Sequence, residues 1–274
     1  LLLGLLNRMT VITLTTDFGT DDAYVATMKG VILSINPKAT VVDICHTIRP
    51  QNITQAAYIL STATGYFPEG TIHVAVIDPG VGTKRRAVLL VGPKAYYVGP
   101  DNGVFSYVAS QAAHKMHAFE LTNQRYWLNP VSHTFHGRDI FAPVAAHLSL
   151  GVPPHELGSS ITALSGVALS RPYHHEDGTL IGKVIHIDHF GNLITDIIKS
   201  DLPKGRVFIE VFGHIIDDIS TSYEDEEELL AILGADGRLE VSVQKGSAAR
   251  YLGANIGAEV KVGANRTSLR GSQS

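Results

Sequence analysis

The chain has 274 residues, of which 45% are hydrophobic and 18% charged, with 26 glycines. That length holds one large domain or two ordinary ones, and the composition excludes a fibrous or disordered chain in favour of a globular one with many tight turns. A formal net charge of −4 leaves no basic footprint, so nucleic acid is not an expected partner.

The opening Leu1–Leu6 run is too short to span a membrane and has no basic stretch or small-residue cleavage site beside it. No membrane partner is therefore expected, and Met9 reads as a natural start, with residues 1–8 a tail. Thr10–Thr15 alternates β-branched residues and predicts a strand that ends at Thr16-Asp17-Phe18-Gly19. A helix follows with Val25, Met28, Ile32 and Ile35 on one face, Asp21 and Asp22 near its positive end, and Asn36-Pro37 stopping it. The unit then repeats: strand Thr40–Ile44, a helix from about Asn52 with Gln55 completing a capping box, and a stop near Phe67-Pro68-Glu69-Gly70. Cys45, the single cysteine, cannot form an internal disulfide or a cysteine cluster for zinc and reads as a core residue. One unpaired thiol fits a reducing, cytoplasmic setting.

A third strand, Ile72–Ile77, empties into Asp78-Pro79-Gly80-Val81-Gly82-Thr83. Strand, helix, strand, helix, strand is the pattern of a mainly parallel sheet, whose binding residues collect where strands end. Extended runs at Ala87–Val91 and Ala95–Val98 lead to Gly99-Pro100-Asp101-Asn102-Gly103 and a short helix. The last clear helix of this half carries Ile140, Val144 and Leu148 and stops at Gly151-Val152-Pro153-Pro154. After about residue 165 the texture changes to short strands at Leu180–Ile187, Leu193–Ile198, Val207–Val211, His214–Ile219, Arg238–Val243 and Glu259–Val262, with one short helix at Ala248–Leu252. The expected class is thus α/β: an N-terminal α/β domain over 9–165 and a C-terminal antiparallel β-barrel domain over 178–264. The acidic run Glu224–Glu228 reads as a solvated helix start or loop, and 265–274 as a loose polar tail.

Three loops place charged groups beside glycine at strand ends. Asp17 suits the paired hydroxyls of a ribose, or it caps the following helix. In the second loop Arg85 or Arg86 can fold back onto Asp78, although a plain strand-ending turn reads the same way. This loop lacks the Gly-Lys-Ser/Thr ending of a Walker A motif. In Thr134-Phe135-His136-Gly137-Arg138-Asp139 the histidine is followed by glycine and is more exposed than a core histidine, whereas Arg138 and Asp139 suit a helix end. No His-x-His or His-Glu-x-x-His pattern is present, and no metal is expected. The Asp17, Asp21, Asp22 cluster is explained by the helix N-terminus instead.

Together with Asp188-His189-Phe190-Gly191-Asn192, these strings fall in the order and spacing of the S-adenosylmethionine hydrolases, or SAM hydroxide adenosyltransferases, relatives of fluorinases and chlorinases. The chain resembles that family from about Thr10 to Val262. The resemblance implies a homotrimer with active sites between the first domain of one subunit and the second domain of the next. It implies no cofactor, with S-adenosyl-L-methionine as a small-molecule substrate. It matches Asp78, Arg85 and His136 to the group that positions and activates the attacking water, and Asp17 to the carboxylate on the ribose. Asp188 matches the contact to the methionine amino group, and Phe190 and Asn192 match adenine contacts. Halogenases carry tyrosine where this chain has Asp78. They also place a serine for the methionine carboxylate where this chain has Gly234-Ala235-Asp236, which leaves that contact unassigned. The competing expectations are halogenase-type adenosyl transfer and a non-catalytic sensor of adenosine or S-adenosylmethionine.

Overall fold

A computed structural model describes residues 10–112, 116–223 and 229–264. The tails expected at 1–8 and 265–274 and the acidic run Glu224–Glu228 lie outside the described residues. By internal contacts the chain divides into two compact units, 1–168 and 169–274.

The first unit contains β1 (Val11–Thr16), α1 (Tyr24–Ile35), β2 (Thr40–Cys45), α2 (Ile53–Ala63), β3 (Thr71–Val76), β4 (Ala87–Val91) and β5 (Ala95–Pro100). It continues through α3 (Ser106–Gln111), β6 (His117–Leu121), α4 (Ala142–Ser149), α5 (Pro154–Leu157) and β7 (Gly158–Ile161). The seven strands form one sheet in the order β2-β1-β3-β5-β4-β6-β7. Its first three pairings are parallel and its last three antiparallel. The α/β class is as expected, but the sheet is mixed rather than mainly parallel. The antiparallel half comes from the β4–β5 hairpin and from β6 and β7, which are short, half-buried and without clean alternation.

β3 sits centrally and is buried along its whole length, as a strand covered on both faces must be. Its residues alternate between two cores. Ile72, Val74 and Val76 pack with Met28 and Ile32 of α1 and with Phe141, Val144 and Leu148 at α4. Ala75 and Ile77 pack with Ala56 and Leu60 of α2 and Val108 of α3.

Two helix starts differ from expectation. The N-cap of α1 is Ala23, without a side-chain cap, and Asp21 and Asp22 stand just before it, near the helix's positive end but outside its first turn. At α2 the side-chain Oδ1 of Asn52 does accept the Gln55 backbone N–H at 2.9 Å. The Gln55 side chain, however, reaches past the cap to accept the Arg49 N–H at 2.9 Å.

The second unit contains β8 (Tyr173–His174), β9 (Leu180–Ile187), β10 (Leu193–Ile198), β11 (Phe208–Val211), β12 (His214–Asp217), β13 (Leu229–Leu233), β14 (Arg238–Val243), α6 (Ala248–Leu252) and β15 (Glu259–Gly263). The order is β12-β11-β15-β9-β10-β14-β13, with β8 added on β9. All strand pairings are antiparallel. An isolated bridge from Ser220 to Ile232 draws the two edges together, giving a nearly closed barrel. The inward positions Leu180, Val184, Leu193, Ile209, Val241 and Val260 fill it.

Candidate active site

In the first unit the chain winds from β1 through α1 to β2 on one side, then returns through α2 to β3 on the other side of β1. Ligand crevices form outside the carboxyl ends of strands at such a reversal. β1 and β3 run in register up to Thr16 and Val76. Asp17 follows the first strand directly and Asp78 follows the second by two residues, so both lie at that crevice edge. Asp17 does not cap α1. Its Oδ2 accepts the backbone N–H of Gln51 at 2.7 Å, which leaves Oδ1 without a protein donor among the described residues. Gln51 holds a left-handed φ of 65°, a conformation that costs a non-glycine residue energy and is found where the surroundings enforce it.

The loop after β3 turns at Gly82, whose φ is 75° and whose missing Cβ would lie 2.3 Å from the carbonyl oxygen of His133. Glycine thus lets this loop lie directly on the segment that carries His136. Arg85 folds back onto Asp78: its Nε lies 2.9 Å from Oδ1 and 3.0 Å from Oδ2, and its Nη2 also binds Oδ2. The same Nη2 lies 2.7 Å from Nδ1 of His136. Arginine always carries its protons, so Nδ1 must accept and the neutral ring carries its hydrogen on Nε2. Burial, then the Arg85 charge, holds His136 below its usual pKa, with Asp78 opposing. The Asp78 and Arg85 side chains are only 5% and 11% exposed, and the guanidinium carbon lies 5.3 Å from the centre of the Phe141 ring. A carboxylate, a guanidinium and an imidazole from two loops therefore share one sheltered spot.

Arg86, Asp101, Arg138 and Asp139 act as braces. Arg86 turns away from Asp78 to Asp101, with Nε at 2.8 Å, and donates to the carbonyl of Ala163 at 2.8 Å. Asp101 also accepts the Ser165 N–H at 2.7 Å, and Asn102 donates to the Ile77 carbonyl at 2.8 Å, holding the end of β3. Asp139 is buried and takes the backbone N–H and hydroxyl of Ser132 at 2.8 and 2.6 Å together with Nε of Arg138 at 2.6 Å. It thereby fixes the turn that carries His136. A π-helical turn over Gly137–Phe141 joins this turn to α4, a wide turn of the kind common beside functional groups.

Asp188, Phe190 and Asn192 line one cleft of the second unit, of about 940 Å³, with Glu240, Ser247 and Arg250. Asp188 accepts the backbone N–H and the side-chain amide of Asn192, each at 2.9 Å, so the two form a closed loop. Gly191 between them has a φ of 89°, and a Cβ there would lie 2.0 Å from the Ser247 hydroxyl. Phe190 stands 71% exposed at the cleft. Burial, followed by the nearby Asp236 and Asp188 charges, pushes the Glu240 carboxyl up, against a hydrogen bond from Tyr223 that lowers it. Sequence reasoning missed Tyr223, Glu240, Lys245 and Arg250 in this cleft. Glu240 lies on β14, Tyr223 and Lys245 in turns and Arg250 on α6, elements whose sequence pattern is that of any barrel.

The SAM hydroxide adenosyltransferase N-terminal domain matches residues 12–158 and the C-terminal domain of the same name matches residues 182–261. This chain belongs to the SAM hydroxide adenosyltransferase family. An (R)-S-adenosyl-L-methionine hydrolase of Thermus thermophilus is 42% identical over 255 residues, covering 90% of this chain and 96% of the relative. A fluorinase of Nocardia brasiliensis is 30% identical over 295 residues, covering 93% and 98%. A crystal structure of a protein from Thermotoga maritima is similar with a TM-score of 0.84 and 33% identity, over 92% of this chain and 99% of that one. In this SAM hydroxide adenosyltransferase, the three motif residues expected to act together in the first domain do converge, and so do the three expected in the second.

Proposed function

We propose that this chain hydrolyses S-adenosyl-L-methionine to adenosine and L-methionine, by attack of an activated water at the ribose C5′. The observation that carries this reading is the shared contact of Asp78, Arg85 and His136 in a sheltered spot at the sheet's reversal point. The oxygen–C5′ bond forms as the C5′–sulfur bond breaks. The sulfonium takes the electron pair and leaves as the neutral thioether of methionine, and the water's proton must leave as well. With Nδ1 of His136 occupied by Arg85, Asp78 is the group with lone pairs to receive that proton, and Nε2–H of His136 orients the water oxygen. Positioned acid–base groups of this kind contribute on the order of 10²–10⁴ in rate. Attack on a sulfonium by an oxygen anion disperses charge, so a site that excludes bulk water favours it. The substrate carries its own leaving group, so this step needs no cofactor.

In the proposed complex Asp17 accepts the ribose hydroxyls through Oδ1, Asp188 meets the methionine ammonium, and Phe190 and Asn192 hold the adenine. Lys245 and Arg250, cations of the same cleft, suit the substrate carboxylate where Ala235 offers no hydroxyl. The proposed domains, 9–165 and 178–264, pair across subunits of a homotrimer, for which light scattering of the purified protein should return three chains. The single cysteine, Cys45, accords with a cytoplasmic setting. Turnover of S-adenosyl-L-methionine in heavy-oxygen water tests the reaction: the label should appear in adenosine. Adenosine without label, or no methionine released, would refute hydrolysis.

A further inference from the structure

Beneath the Asp17 loop runs a chain of polar groups that the hydrolytic mechanism does not use. Lys29 donates to Oδ2 of Asp43 at 2.6 Å. Oδ1 of Asp43 lies 3.0 Å from Nε2 of His46, and Nδ1 of His46 lies 2.9 Å from the Thr16 hydroxyl. That hydroxyl in turn accepts the backbone N–H of Phe18 at 3.3 Å. Hydroxyl, imidazole and carboxylate in this order match the connectivity of a nucleophilic triad. Thr16, however, is fully buried in the last position of β1, so no substrate can reach its hydroxyl.

The chain instead ends on both sides of Asp17. The Thr16 oxygen closes a turn onto Phe18, with Asp17 as its middle residue. The His46 carbonyl accepts the N–H of Gly19 at 2.8 Å, fixing the far side of the same turn. The Thr16 hydroxyl accepts from Phe18 and keeps a rotatable hydrogen that it can donate to Nδ1 of His46. In that tautomer Nε2 carries the ring's hydrogen and meets Asp43 through an electrostatic contact at 3.0 Å rather than an aligned hydrogen bond. Each link orients the next, from the half-exposed Lys29–Asp43 pair inward.

We infer that Asp43 and His46 are positioning residues that aim the Asp17 carboxylate at the ribose, so that discrimination between ribose and deoxyribose is set one layer behind the contact itself. This rests on the reading of Asp17 as the ribose partner. A carboxylate held by one backbone N–H still has a free torsion, and a hydrogen bond from a hydroxyl reaches full strength only near its best geometry. Fixing the backbone on both sides of Asp17 sets the direction of its Cα–Cβ bond before substrate arrives, so that the Gln51 N–H can select one rotamer.

The test is calorimetric binding of adenosine and of 2′-deoxyadenosine to the full-length protein, with melting temperatures in parallel. A hydroxyl donating to a charged acceptor should give the wild type a roughly ten- to hundredfold preference for adenosine. His46→Gln should cut that preference to within about threefold while 2′-deoxyadenosine still binds, and it should add nothing to Asp17→Asn. If Asp17→Asn itself leaves the preference intact, Asp17 does not hold the ribose and the inference falls with that reading. If Asp17→Asn abolishes the preference and His46→Gln keeps it, the inference alone is overturned. Should His46→Gln not fold, Asp43→Asn carries the same test at a half-exposed position, with a reduced preference expected and an unchanged one refuting.

Discussion

Replacing Asp78 by asparagine separates the chemistry of the site from its architecture. The side chains differ little in size, but the amide offers one accepting oxygen where the carboxylate offers two, and its NH₂ faces a guanidinium that can only donate. Breaking a buried ion pair by removing one partner typically costs about 3–5 kcal/mol. Here one hydrogen bond to Arg85 survives and the guanidinium keeps 11% exposure, so a loss of roughly 2 kcal/mol is expected. The effect on turnover should be larger than this loss of folding stability implies, because the variant lacks the group that receives the water's proton. A slowing of at least about a hundredfold, near 3 kcal/mol of barrier, is expected for methionine release measured by chromatography. Adenosine affinity by calorimetry should stay within a few-fold of wild type. Asp78 also opposes the depression of the His136 pKa, so without it that pKa falls further and the residual activity should extend to more acidic pH. A folded Asp78→Asn protein turning over within a few-fold of wild type would refute the assignment.

Because burial and Arg85 hold His136 below 6.5, kcat/KM should stay level as pH falls to 6.5 and decline only beyond it, since a protonated ring would point a donor at Arg85; a midpoint above 6.5 would contradict this. His73 is buried in β3 with Nδ1 2.8 Å from the Thr13 hydroxyl, and burial lowers its pKa to about 4. The unfolded chain takes up that proton more readily, so the stability is fully present above pH 6.5 and is lost toward pH 4. Chemical denaturation at a series of pH values should show about 3 kcal/mol lost over that window, and His73→Gln should flatten the slope. Gly191→Ala sets a Cβ against Ser247 in a left-handed backbone and should raise KM several-fold with kcat largely kept, whereas unchanged kinetics would detach this turn from substrate binding. Incubation with S-adenosylmethionine and excess chloride or fluoride should give adenosine alone, and a halogenated deoxyadenosine in the mass spectrum would reassign the nucleophile.

Much of the first domain could be read directly because its signals are local. β-branched runs, the spacing of Met28 and Ile32, and stops at Asn36-Pro37 each depend on a few neighbouring residues. The antiparallel half of the sheet was not readable, since β6 and β7 are held by pairing with β4 and with each other rather than by a pattern of their own. The same split runs through the site. Asp78, Arg85 and His136 stood out as charged or polar groups beside glycine, and their meeting is observed. The choice between Arg85 and Arg86 as the partner of Asp78 was open in sequence and is decided by Asp101, which claims Arg86 from the loop just past β5, 15 residues on. Asp43 and His46 gave no sequence signal because they sit in β2 and its continuation, while Thr16, at the end of β1, stood out only as part of the Asp17 loop. Glu240 in the second cleft likewise depends on Gly234, where any side chain would collide with its carboxylate.

The sheet order has a consequence for how far this architecture can drift. β5 lies between β3 and β4, so the segment from Asp78 to Arg86 must straddle an intervening strand before re-entering the sheet. Two strand spacings amount to about 10 Å, which nine residues cross with slack for a double bend. Shortening this arch by more than a few residues would pull it taut and tear Arg85 from Asp78. Lengthening would release the anchor at Asp101 and let the arginine wander. The loop's length is thus constrained as tightly as its side chains, and a library of insertions and deletions across it should show a narrow optimum of activity flanked by folded but inert proteins.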